Sequence, residues 1–80
     1  MPPRVTLQIV GGRKDKIRAG DVLGALTGEA GFSAAQIGKI NLNEFSTYVA
    51  VDRQIANEAV KRLSVGTIKG KRVKVRLMQA

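Results

Sequence analysis

STYVAVDRQIANEAVKRL (residues 46–63) changes its apolar period in mid-stretch, and that change decides the fold. From Ser46 to Val51 the residues are β-branched, small or aromatic, with Thr47, Val49 and Val51 on one face and Ser46, Tyr48 and Ala50 on the other. This is the period of a strand with one buried side. After Asp52, a good N-cap, Ile55, Ala56, Ala59, Val60 and Leu63 recur at helical spacing, and Gln54, Asn57, Glu58, Lys61 and Arg62 fall on the other face. A half-buried strand leading straight into an amphipathic helix is one half of a two-layer α/β unit.

Toward the C-terminus, turn residues from Ser64 to Gly70 precede KRVKVRLM (71–78), which alternates throughout. It predicts a strand with Val73, Val75 and Leu77 inward and Arg72, Lys74, Arg76 and Met78 outward. Toward the N-terminus, Ile37, Ile40 and Leu42 mark another strand, ending near Asn43 and Glu44, with Phe32 to Gln36 as its approach. Asp21 is the expected N-cap of a helix in which Val22, Leu23, Leu26 and Ala30 recur up to a stop at Gly31. Gly24 and Gly28 inside it cost up to about 1 kcal/mol each relative to Ala, which predicts close backbone packing at both. RVTLQIV (4–10) alternates as a first strand, with Val5, Leu7 and Ile9 inward, and GGRKDKIRAG (11–20) reads as a basic loop too charged to pack.

The order βαββαβ predicts an α+β, ferredoxin-like domain: a four-stranded antiparallel sheet with two helices on one face. The expected spatial order is 4-1-3-2, which lays the first and last strands side by side. Residues 1–3 read as a linker or boundary ahead of a domain covering 4–80.

Composition narrows the chemistry. With 80 residues the chain is one small domain, and with no Cys and no His it has no thiol chemistry, no Cys or His metal site and no Ser-His-Asp triad. Apolar runs fall far short of the ~20 residues a membrane span needs, so a cytoplasmic, membrane-free domain is expected. Lys and Arg outnumber Asp and Glu 14 to 6, for a net charge of +8. Residues 1–20 carry five basic and one acidic residue, 21–60 two and five, and 61–80 seven and none, giving +4, −3 and +7. With the first and last strands adjacent, the two basic blocks are expected to merge, with the acidic middle elsewhere. Such a one-sided basic surface points to a polyanion, nucleic acid before an anionic membrane.

The sheet face away from the helices is expected to carry Thr6, Gln8, Tyr48, Ala50, Arg72, Lys74 and Arg76. Single-stranded RNA is held on such faces by stacking aromatics and flanking cations. EFSTYVAV (44–51) laid over the RNP1 pattern places Tyr48 on its inner aromatic, but Glu44, Ser46 and Val51 miss the basic and the other two aromatic positions. In the first strand, Gln8 stands where an aromatic is usual. One Tyr and two Phe are all the aromatics present, and Phe32 and Phe45 are expected in the core, leaving Tyr48 for stacking. The alternative for Tyr48 is an amphipathic residue shielding the sheet, and for Arg72, Lys74 and Arg76 a charged edge that deters strand pairing.

In the loop, the Gly11 and Gly12 amides with Arg13, Lys14, Lys16 and Arg18 are a candidate phosphate cradle; the alternative is an exposed, flexible charged loop. GTIKGKR (66–72) is one residue short of a P-loop, has Arg72 in place of Ser or Thr, and precedes a strand, so no nucleotide site is expected. An acylphosphatase-like hydrolase, with Arg13 on phosphate and Asn41 or Asn43 positioning water, is the enzyme alternative, against which the loop is too long.

Four runs together carry a resemblance: IRAGDVLGALTGEAGF (17–32), IGKINL (37–42), TYVAVDRQIANEAVKRL (47–63) and IKGKRVKVRLM (68–78). They resemble the C-terminal RNA-binding domain of the DbpA-type bacterial DEAD-box RNA helicases over about residues 4–78. The resemblance implies a divergent RNA-recognition-motif fold, with no catalytic residues of its own. Its implied role is to tether a helicase to a structured hairpin of large-subunit ribosomal RNA near the peptidyl-transferase centre. ATP and Mg2+ would belong to two RecA-like domains upstream in the same protein, and this chain would be an excised, monomeric piece of it. The RNA contacts it implies are Arg13, Lys14, Lys16 and Arg18 in the loop, Tyr48 on the sheet, and Lys69, Lys71, Arg72, Lys74 and Arg76 around the last strand. A sequence-tolerant basic nucleic-acid or ribosome-associated module is the second reading.

Overall fold

The computed structural model describes residues 4–68 and 70–78. Residues 1–3, read above as a linker, the expected contact residue Lys69, and residues 79–80 lie outside them. The strands are β1 (Arg4–Val10), β2 (Ile37–Leu42), β3 (Ser46–Asp52) and β4 (Lys74–Met78), and the helices are α1 (Ala19–Gly24) and α2 (Ala56–Val65). One antiparallel sheet has the order β2-β3-β1-β4, the predicted 4-1-3-2 arrangement.

Both helices cover the face lined by Leu7, Ile9, Val49 and Val51, meeting it through Val22, Leu26, Ala56, Ala59 and Leu63. Alternation chose the buried face correctly, because a one-residue slip would have turned every one of these strand residues to solvent. The odd spacing of Ile37 and Ile40 is resolved by a register irregularity between them, against Val51 and Val49 of β3.

Several details depart from the expectations. Asp21 does not cap α1 as its first residue; the N-cap is Arg18, and the Asp21 carboxylate reaches back to accept from the Arg18 amide at 2.9 Å. The chain simply enters the helix one turn earlier than Asp21 indicates. Beyond Gly24 the turns widen into a π-helical segment, Ala25–Glu29, in which the Ala30 amide donates to the Ala25 carbonyl at 2.9 Å. Arg62 of α2 fastens this end by donating to the Ala30 carbonyl, pairing with Glu58 at 3.3 Å and lying 5.0 Å from the Phe32 ring centre.

The close packing expected at Gly24 and Gly28 is absent, since a Cβ built at either meets nothing within 4 Å. Gly24→Ala is therefore expected to raise stability by up to about 1 kcal/mol through helix propensity alone. That is about 4–8 °C in the melting midpoint of a domain this small. A fall in midpoint would mean that the passage from α to π turns needs glycine.

β4 begins at Lys74 rather than at residue 71 because β1 stops opposite it. Val10 pairs with Lys74, and Gly11 then turns away at φ +147°. Lys71 instead bonds back to Ile68 by two backbone hydrogen bonds of 2.8 and 3.0 Å, closing a turn with Gly70 at φ +78°. The core reaches Val75 on this edge strand and Val73 just before it; Leu77, opposite Leu7, is on the inward face as expected but is left partly exposed at the sheet edge. The segment expected to be too charged to pack contributes Ile17, which is 2% exposed.

Candidate nucleic-acid interface

The face of the sheet away from the helices is open, and cross-strand register sets its rows. Asn41 lies opposite Tyr48, Tyr48 opposite Gln8, and Gln8 opposite Arg76, one residue from each of four strands. The Gln8 amide sits between its two neighbours, donating to the Tyr48 hydroxyl at 3.4 Å and accepting from Arg76 Nε at 2.8 Å. Arg76 spends its Nε on this bond, so its two terminal nitrogens remain to meet an anion. Gln8, which sequence reasoning counted only as a missing aromatic, is thus the residue that orients the aromatic and the cation beside it.

The next row, Ser46, Val10 and Lys74, lies at one end of the sheet. At that end the basic segment 11–18 is folded against the β2–β3 turn. Its first part is a short 3-10 helix, Arg13–Asp15, held by consecutive backbone bonds. The Gly11, Arg13 and Lys14 amides donate to the Phe45, Asn43 and Glu44 carbonyls at 3.0, 3.0 and 2.9 Å. Buried Thr47 donates its hydroxyl proton to the Gly11 carbonyl at 2.8 Å, and the Arg13 guanidinium donates to the Leu42 carbonyl at 3.0 Å. The fit needs glycine at 12, where a Cβ would run into the backbone of Asn43, Glu44 and Ser46.

This geometry corrects the phosphate cradle. The Gly11 amide is bonded to Phe45, and the Gly12 amide donates to the Asp15 carboxylate at 3.1 Å, so neither is turned to a ligand. The acylphosphatase-like alternative loses its anion-binding loop with them.

The expected contact residues fall into two groups rather than the single block beside β1 and β4. Lys74, Arg76 and the exposed Arg72 and Lys71 line the β4 edge, with Tyr48 inward from it across Gln8. Because the loop crosses the ends of β3 and β2, Arg13, Lys16 and Arg18 come together around a shallow cleft floored by Ile17 and Leu42 on the opposite edge. With strands ~4.8 Å apart, the two groups bracket one end of the sheet over about 14 Å. Nor is acidity wholly elsewhere: Asp15 and Asp21 lie within or next to the band, each bonded to a backbone amide there, and Glu44 is exposed at the turn.

Phe45 also contradicts its expected place in the core. It is 65% exposed in the β2–β3 turn, with Lys14 Nζ 5.5 Å from the ring centre. Its setting between Asn43-Glu44 and Ser46, ahead of the alternating run, is the signal that marked it as a turn residue. Among the described residues no group of acidic side chains is placed to hold a metal, and no helix is long and apolar enough to cross a membrane.

Residues 6–77 match the family model described as the DbpA RNA binding domain. Over 74 residues, 92% of the chain, the sequence is 53% identical to the ATP-dependent RNA helicase DbpA of Escherichia coli (strain K12). The chain spans 16% of that relative's length.

Proposed function

The chain belongs to the DbpA RNA-binding domain family, and from that premise we propose that it steers an ATP-dependent RNA helicase, as one part of it, to a structured hairpin of large-subunit ribosomal RNA during ribosome assembly. The domain itself binds RNA and carries no catalysis. ATP and Mg2+ would be bound by a helicase core in cis, in the cytoplasm. The stretch nearest to a P-loop, residues 66–72, leads to β4 rather than to a helix. A tethered core meets duplexes near the bound hairpin at high effective concentration, so binding here selects the target without any new contact by the core.

The observation that carries this reading is the Tyr48–Gln8–Arg76 row. It sets one base-stacking ring beside one fixed guanidinium on an open sheet, with Lys74, Arg72 and Lys71 along the same edge. Arg13, Lys14, Lys16 and Arg18 would extend the phosphate track around the end of the sheet, and Lys69 is proposed with them from sequence alone.

The test is a titration of the domain into a labelled hairpin from the peptidyl-transferase region of ribosomal RNA, with a scrambled hairpin of equal length as competitor. The native hairpin is expected to win at moderate salt. If about five phosphates are neutralised, log K falls against log salt with a slope of roughly −3 to −4. Equal binding to both hairpins, erased by salt, would leave only a sequence-tolerant basic module. A flat salt response would remove the electrostatic argument itself.

A further inference from the structure

Phe45 is the one large aromatic that the fold leaves mostly bare among the described residues, and nothing in the core requires it to be where it is. A bare aromatic on a loose turn would mean little. This turn is not loose: the carbonyls of Asn43, Glu44 and Phe45 each accept a backbone amide from the 11–14 segment, and the Asn43 amide closes the turn on the Ser46 carbonyl at 2.8 Å. The ring is therefore carried on a mount fixed from both sides, and ordering it on binding costs little. The Lys14 ammonium lies over one face of the ring, 5.5 Å from its centre, so a base would stack on the other face. An apolar disc with a cation at that distance matches the two halves of a nucleotide, a base with a π face and the phosphate attached to it.

We propose that Phe45 and Lys14 form a second nucleotide-binding position, separate from the Tyr48 row, in which an unpaired base stacks on Phe45 while Lys14 meets its phosphate. This rests on the RNA-binding reading above and deepens it. Stacking requires a base that is out of a helix, so the position favours hairpin loops and single strands over continuous duplex. The band of cations at this end of the sheet then tracks a backbone whose bases are gripped twice, once on the sheet and once at the turn.

The chain contains no Trp, so Phe45→Trp places a single fluorophore at the position. Adding the ribosomal RNA hairpin is expected to quench its emission, while heparin, a polyanion without bases, is expected to displace RNA without quenching. Phe45→Ala is expected to weaken hairpin binding about 5- to 160-fold, the range of one lost base–aromatic stack, with the slope of log K against log salt unchanged because no charge is removed. Phe45 is exposed, so neither variant threatens the core. Binding by Phe45→Ala within twofold of the parent, or equal emission changes with RNA and heparin, would overturn the proposal while leaving the RNA-binding reading intact. Failure of the parent domain to bind any RNA would instead sink that reading, and this position with it.

Discussion

Replacing Arg72, Lys74 and Arg76 together by Ala is expected to cost roughly 100-fold in RNA affinity at low salt, counting about 1 kcal/mol for each exposed phosphate contact. The slope of log K against log salt should become shallower by about 2, at roughly 0.7 per phosphate lost. The fold should survive. Lys74 and Arg76 point away from the helices on an edge strand and Arg72 precedes it in the open, and such solvent-facing changes stay within about 0.5 kcal/mol each. The three side chains are not equivalent. Arg76 is tied through Gln8 to Tyr48, so its loss also removes the bond that orients the Gln8 amide toward the Tyr48 hydroxyl. Arg76→Ala alone should therefore exceed Arg72→Ala alone. Arg76→Lys should not restore the parent, because an ammonium lacks the guanidinium's planar fork to hold Gln8 and a phosphate together. Filter binding across a salt series, with circular dichroism as the check on folding, decides it. An affinity within threefold of the parent with an unchanged slope would move the RNA to another surface. The same edge charges also deter strand pairing between molecules, so the variant's monomeric state needs checking by sedimentation.

The parts of this molecule that were legible in the sequence are those whose side chains repeat with the backbone's own period. β1 and β3 could be drawn almost to the residue, and α2 by its face though not its ends, because Leu7, Ile9, Val49, Val51, Ala56, Ala59 and Leu63 each share a face with neighbours two or three to four positions away, whereas Asp52 caps a 3-10 turn, Arg53–Ile55, ahead of the helix, and Ser64 and Val65 still belong to it. Ile17 and Ile68 were invisible to that reasoning. Each is a lone apolar residue among cations and turn residues, buried because distant chain closes over it. The interface shows the same division. Alternation placed Arg76 and Tyr48 on one face, but only register put Gln8 between them. The loop was misread for a related reason: its shape is dictated by carbonyls of Asn43, Glu44 and Phe45 some thirty residues on, and charge density says nothing about such partners. Counting Phe45 as core followed from hydrophobicity alone, when its position in a turn outweighed it.

Gly12→Ala should be the most destabilising small substitution in the domain, and it tests whether the loop is a built part of the interface. The backbone there, at φ −155° and ψ −145°, is not left-handed. The obstacle is space. A Cβ at 12 overlaps the Asn43 carbonyl oxygen and comes to 2.9 Å from the Ser46 nitrogen and 3.0 Å from the Glu44 oxygen. All three are backbone atoms, so no side-chain rotation relieves them. The segment must lift, giving up the amide bonds from Gly11, Arg13 and Lys14, at about 1 kcal/mol each. A loss of about 3 kcal/mol lowers the melting midpoint of a domain this size by roughly 12–24 °C. The functional consequence follows from the same displacement. Arg13 and Lys14 leave the end of the sheet, and the turn bearing Phe45 loses its support, so RNA affinity should fall even at temperatures where the variant is fully folded. Gly24→Ala, the same chemical change in open space, should do neither. If Gly12→Ala melted with the parent yet bound RNA weakly, the loop would be a contact surface without structural weight. If it melted low but bound RNA normally when folded, the cations it carries would lie off the RNA path, and binding would belong to the β4 edge and the Tyr48 row alone.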